Sequence, residues 1–304
     1  MGIVATTRDS NWLPASSLIT DEASSDRVNV ALFGVSTWAT SLSARSSLST
    51  PSAVREALAY YSTWSYSDTV DLADAVALVD HGDVADPDGP DADARVRALT
   101  DALDDRYALR IALGGDNAAT WRVLNALGAD TLDDWGLVTL DAHLDLRDGV
   151  SNGSPVRQLL EAGLSGAHVV QVGLADFSNS PEYARRASAA GITVIARDEL
   201  RREPVESAAR RALELAGADG RRVYVDIDMD VADRSVVPGC PAAAPGGLSA
   251  DEVRRFVRAA AADQRVAALD VTEIDVERDR DQRTVRLAAL LVLEALAGVR
   301  RRTS

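Results

Sequence analysis

The chain has 304 residues, 46% of them apolar, enough for one large α/β domain or two small ones. Its formal net charge is −15, from 47 acidic against 32 basic residues, and every basic residue is Arg. That balance argues against nucleic acid and anionic membrane surfaces as partners, since both need basic patches. The absence of Lys excludes Schiff-base and lysine-base chemistry.

Residues 1–25 are predicted to be a flexible N-terminal segment and 26–304 a single domain. The start of the chain lacks a basic stretch followed by an apolar core, and no run reaches about 20 apolar residues. The expectation is a cytoplasmic protein without signal peptide or membrane span. From Val28 onward, short β-rich runs recur: VNVALFGV, AVALVDHG, LRIALGGD, GLVTLDAH, HVVQVGLA, ITVIAR, RVYVDIDMD and VAALDVTEID. Helical periodicity fills most of the intervals, with start signals at Thr50-Pro51, Ser154-Pro155, Ser180-Pro181 and Ser249. Strands alternating with helices, each strand apolar on both faces, imply a mostly parallel sheet covered on both sides. The acidic, Pro/Gly-bearing segment 83–94 reads as a solvated loop.

Four strand ends carry unusual polar residues: Asp116-Asn117; Asp141, His143 and Asp145; Asp226, Asp228, Asp230 and Asp233; and Asp270 with Glu273. In α/β sheets ligand groups collect just past the carboxyl ends of the strands. Asp141, His143 and Asp145 stand at alternating positions, which in an extended strand end face one side. Burying two carboxylates there unpaired costs on the order of several kcal/mol, so a cation is expected among them. One imidazole, many carboxylates and no thiolate suit Mn²⁺ best, with Mg²⁺, Fe²⁺ or Ni²⁺ behind it. Zinc would recruit further His or Cys, and the single cysteine, Cys240, also excludes an intramolecular disulfide. Cys240 itself reads as an inert thiol, and His81 and His168 read as surface or turn residues away from the cluster.

With these residues in place, the chain resembles the ureohydrolase superfamily of arginases, agmatinases and formimidoylglutamases. The resemblance runs from VALFGV…STPSAVREAL through IALGGDN, DAHLDLRDGVSNGSPVR and DMDVADRSVVPGCPAAAPGGLS to DVTEID…RTVRLAALLVLEALAG. It implies an arginase-like three-layer α/β/α fold around a mostly parallel eight-stranded sheet, and a trimer or hexamer. It further implies metal ligands at Asp141, His143, Asp145, Asp228 and Asp230, with Asp226 one place outside the set. Asp145 is then also the proton acceptor, and Glu273 the carboxylate that holds the amidine or guanidine nitrogens.

Two positions depart from the family pattern. GGDN places Asn117 where relatives carry a ligand His, and SNGSPVR places Asn152 where they carry a second His. An amide oxygen is a neutral, weaker ligand, so of two expected Mn²⁺ sites the Asn117 site is expected to be weak or empty. Asn152 is expected at the substrate.

The reaction implied is hydrolysis of a C–N bond in a linear amidine. Arg147, two residues past Asp145, is a candidate clamp for a substrate carboxylate, with Arg157 as a second; the competing reading of Arg147 is an ion pair with Asp148 or a neighbouring acid. An acidic tail points to N-formimidoyl-L-glutamate, cleaved to glutamate and formamide. The alternatives are a guanidino hydrolase of agmatinase, arginase, guanidinobutyrase or hydroxyarginine type, or a metal-poor, non-catalytic ligand-binding or partner subunit.

Overall fold

In the computed structural model, which describes residues 9, 11–44, 48–128 and 131–303, each apolar run becomes a strand. They follow a two-residue strand, β1 (Ile19–Thr20), as β2 (Val28–Val35), β3 (Val76–Asp83), β4 (Tyr107–Gly114) and β5 (Trp135–Leu140). The rest are β6 (Val169–Leu174), β7 (Thr193–Ala196), β8 (Arg222–Asp228) and β9 (Val266–Thr272). The sheet order is β1-β3-β2-β4-β9-β8-β5-β6-β7, and every pairing within it is parallel. The expected eight strands are therefore nine, the extra one being β1. A separate antiparallel pair joins Trp64–Ser65 to Val70–Asp71.

The strands between the two edges feed two cores. Val30 and Leu32 of β2 join one with helices Thr50–Ala57, Val205–Ala216, Ala250–Ala261 and Arg283–Arg300. Ala31, Phe33 and Val35 join the other with helices Ala92–Asp101, Ala118–Leu127, Pro155–Glu161 and Pro181–Ala190. Successive side chains point to opposite faces, so a strand covered on both sides must be apolar throughout. Ser49 and Ser180 cap their helices through Ser52 N and Tyr183 N, and Ser249 forms a capping box with Glu252.

Two expectations need correction. Of the flexible segment 1–25, residues 1–8 and 10 lie outside the described residues, but Ala15–Thr20 is held down. The Ala15 N–H donates to Tyr61 O at 2.8 Å, Leu18 is buried, and β1 pairs with β3. The acidic loop also ends sooner than expected, because Ala92–Asp101 is a helix that buries Val96 and Thr100.

The chain path fixes where a site can form. From β4 it jumps past two open positions to β5, runs outward through β6 and β7, and fills the gap last with β8 and β9. The carboxyl ends of β4, β9, β8 and β5 thus lie side by side where the winding direction reverses, the usual ligand crevice of such sheets.

Candidate metal centre

The polar residues gather on one face of these four strands. On β8, Val223, Val225 and Ile227 face one core while Tyr224 faces the other, and Asp226 and Asp228 continue the Tyr224 face. Asp270 and Thr272 on β9 stand beside Asp226 and Asp228 in register.

The two-residue spacing in the ligand motifs has a different origin from the expected strand alternation. β5 stops at Leu140, and Asp141 Oδ1 accepts the His143 N–H at 2.6 Å. Asp228 Oδ1 accepts the Asp230 N–H at 2.8 Å in the same way. Both are turns closed by an aspartate on the backbone two residues ahead, and they bring the second side chain back beside the first.

His143 is the centre of the cluster. Its Nδ1 lies 2.7 Å from Asp230 Oδ2 and 3.6 Å from Asp141 Oδ1. One ligating atom from each of Asp141, His143 and Asp230 falls within 4.8 Å of the others. Burial opposes a charge on the imidazole, yet hydrogen bonds and charge from both carboxylates push its pKa up to about 11. Burial and the neighbouring Asp230 charge push Asp141 up to about 7, while the short contact to His143 holds Asp230 low against its own burial. Asp141 Oδ2 is buried and has no hydrogen-bond partner, an open ligand atom for an ion. The donor set of two carboxylates and one imidazole fits a hard-to-borderline divalent cation.

The remaining expected ligands adjoin this cluster without joining it. Burial, then Asp141, raises the Asp145 pKa, and burial, then Asp230 and Asp141, raises that of Asp228. Among the described residues a single group has ligating atoms close enough to hold an ion. Asn117, expected to offer its amide oxygen, presents nitrogen instead. Its Nδ2 donates to Asp145 Oδ2 at 2.6 Å, while its Oδ1 lies 2.7 Å from the Thr120 hydroxyl and 3.2 Å from that of Thr272.

Glu273 is held by one oxygen and open at the other. Its Oε1 accepts the Asn117 backbone N–H at 2.9 Å and Asn152 Nδ2 at 2.7 Å, whereas Oε2 is buried without a partner. Burial lifts its pKa to about 7 against these two hydrogen bonds. Glu273 and Asp145 both have left-handed backbone, with φ of 61° and 52°, a conformation that costs a non-glycine residue free energy and clusters at functional sites.

At the rim, Arg147 is exposed, and its stem packs against Gly153 beside Asn152. Among the described residues its guanidinium has no ion pair, and Asp148, its expected structural partner, binds Arg186 at 2.7 Å instead. Arg157 is not available as a second clamp. It donates to Arg147 O and Gly149 O and pairs with Glu161, fixing the loop that carries Arg147. His81 lies beside Tyr107 at 3.0 Å and His168 at the start of β6, both outside the cluster. Cys240 is fully buried, which raises its thiol pKa.

One feature of the site was not anticipated. Asp226 and Asp270 are neighbours across β8 and β9, both fully buried. Asp270 Oδ2 accepts the Tyr224 and Thr120 hydroxyls at 2.7 and 2.8 Å. Two adjacent aspartates in a pair of central strands were the available signal.

This topology with an Asp/His cluster at the central strand ends defines a class. The family model described as the arginase family matches residues 28–298, and the chain belongs to that family. Among particular proteins, it is 33% identical over 257 residues to formimidoylglutamase of Halalkalibacterium halodurans, covering 82% of this chain and 80% of the relative. It is 36% identical to formimidoylglutamase of Halobacterium salinarum, with the same coverage of both chains, 82% and 80%. The crystal structure of formimidoylglutamase from Bacillus subtilis superposes with a TM-score of 0.88 at 29% identity, covering 99% of this chain and 96% of that one.

Proposed function

We propose that the protein hydrolyses N-formimidoyl-L-glutamate to L-glutamate and formamide, as a divalent-metal hydrolase of linear amidines. The observation that carries this reading is the Asp141–His143–Asp230 cluster, its two carboxylates buried, beside a Glu273 with one unpartnered oxygen. Formimidoylglutamases being its relatives supports the choice of amidine.

Asp141, His143, Asp228 and Asp230 would hold a tight Mn²⁺, and Asp141, Asp145 and Asp228 a weaker second one, joined by Asn117 when its carboxamide turns Oδ1 toward Asp145. Ions held there supply Lewis-acid charge that brings the ionisation of water toward neutral pH. Asp145 takes the proton from the attacking water. Glu273 Oε2 pairs with the amidinium N–H groups, fixing the carbon for attack and stabilising charge in the tetrahedral state. The water oxygen adds to the amidine carbon, the bond from that carbon to the glutamate nitrogen breaks, and the amine departs with the proton passed on by Asp145. Arg147 meets a carboxylate of the substrate tail, where the cation of agmatine would be repelled. Homo-oligomeric assembly, as trimer or hexamer, and a cytoplasmic setting belong to the same reading. No described helix is long and apolar enough to cross a membrane.

A panel of formimidoylglutamate, arginine, agmatine, guanidinobutyrate and hydroxyarginine, each with Mn²⁺, tests the substrate. Turnover of the first alone supports the proposal. Urea from any guanidine at a higher kcat/KM would replace it with a guanidino hydrolase, and no turnover at all would favour a non-catalytic role.

A further inference from the structure

The Thr120 hydroxyl has two acceptors in reach, Asn117 Oδ1 at 2.7 Å and Asp270 Oδ2 at 2.8 Å. It carries one proton and can satisfy only one of them. Thr120, Thr272, Tyr224 and Asp270 are fully buried and Asn117 nearly so, which leaves the choice to the protein's own groups.

Each choice dictates the orientation of the Asn117 carboxamide. When Thr120 donates to Asn117 Oδ1, the Asn117 NH₂ points to Asp145, as in the 2.6 Å contact described above. Asp145 is then occupied by a neutral donor. When Thr120 donates instead to Asp270, the charged and stronger acceptor, its own oxygen is left wanting a donor. The Asn117 carboxamide supplies one by turning over, with Nδ2 on Thr120 and Oδ1 facing Asp145. Thr272, a hydroxyl that both donates and accepts, accommodates either state. Two oxygens facing each other repel unless a cation, or a proton on Asp145, lies between them. Hydroxyl direction, amide orientation and cation are therefore linked.

We propose that Thr120 is a positioning residue that relays Asp270 to Asn117, selecting the face that Asn117 turns to Asp145 and with it the affinity for a second divalent ion. This rests on the reading that Asn117 and Asp145 share that ion. Thr120→Val keeps the side-chain shape but costs the NH₂-to-Asp145 state one hydrogen bond, to Asn117 Oδ1, and the turned state two, to Asp270 and from Asn117 Nδ2, so the balance shifts toward the NH₂ on Asp145. Thr120→Ser keeps the hydroxyl.

Calorimetric titration of the metal-free full-length protein with Mn²⁺ tests it, with thermal melting to confirm folding of each variant. The unmodified protein is expected to bind one ion tightly and one more weakly. Thr120→Val weakens the second about tenfold, the scale of one buried hydrogen bond lost, leaves the tight ion unchanged, and is rescued by Thr120→Ser. If Thr120→Val does not fold, Thr120→Ala carries the same expectation. Uptake of a single ion by the unmodified protein would overturn the two-ion reading and this proposal together. Two ions with an unchanged weaker site in Thr120→Val, or an equal loss at both sites, would overturn the role of Thr120 alone.

Discussion

Asn152 donates its side-chain N–H to Glu273 Oε1 at 2.7 Å, while its own Oδ1 accepts the Leu42 N–H at 3.0 Å. The Asn152 side chain therefore ties the glutamate to the 40–42 loop. Asn152→Ala is expected to lower kcat/KM by roughly ten- to a hundredfold, the range for a lost hydrogen bond to a charged group. Metal content, read by elemental analysis, stays the same. Unchanged kcat/KM would make the contact incidental, and lost metal would move Asn152 into ion binding.

The metal-free protein should lose stability as pH rises. Asp141 and Glu273 are pushed up to about 7, Asp116 to about 8 and His143 to about 11, each by the causes its surroundings supply, burial foremost for the acids. A folded-state pKa above the unfolded value means the folded state holds more protons between the two, so stability falls with rising pH across that window. For the three carboxylates this runs from about 4 to 8, and for His143 from about 6.5 to 11, where its imidazolium is lost. The expected Tm of metal-free protein falls by roughly 5 °C or more between pH 5 and pH 9, since each kcal/mol moves Tm by about 2–4 °C in a chain of this size class. Saturating Mn²⁺ should flatten the trend. A metal-free Tm that rises over this range would contradict the assigned charge states.

Removing the imidazole should cost the tight ion first. His143→Ala takes away the one nitrogen ligand of the Asp141–His143–Asp230 group, and Mn²⁺ affinity at that site is expected to drop by about tenfold or more, a scale seen even for outer-shell losses. Calorimetry that finds the tighter site intact would place it elsewhere.

Arg147 and Arg157 should separate cleanly. Arg147→Ala is expected to raise KM for formimidoylglutamate about tenfold, the loss of one charge-assisted contact, with little change for an amidine lacking carboxylates. Arg157→Ala, which releases its bonds to Arg147 O and Glu161, should lower Tm and affect both amidines alike. Equal responses of the two substrates to Arg147→Ala would remove it from recognition.

Much of this was legible because it is local. Runs apolar on both faces announce doubly covered parallel strands, and Asp and His two residues apart just past such a run announce a turn that gathers candidate ligands, even though the turn is closed by the Asp141 side chain, as its counterpart is by Asp228, and not by strand alternation. What stayed hidden depends on partners far apart in the chain. The Asn117 side chain meets Asp145 across 28 residues and Asn152 meets Glu273 across 121. Nothing in either neighbourhood states which amide atom faces which group. Arg157 looked like a ligand cation, but its role is to hold the 147–149 loop. β1 has two residues, too few for any periodicity to register.

Hydrolysis in ¹⁸O-labelled water tests the central claim most directly. Protein loaded with Mn²⁺ and given formimidoylglutamate should release glutamate and formamide in equal amounts, with one ¹⁸O in each formamide by mass spectrometry and none gained by glutamate. Glu273→Gln and chelator-stripped protein should each suppress the reaction. Formamide without the label, or equal release from the chelator-stripped protein, would contradict metal-dependent attack of water on the amidine carbon.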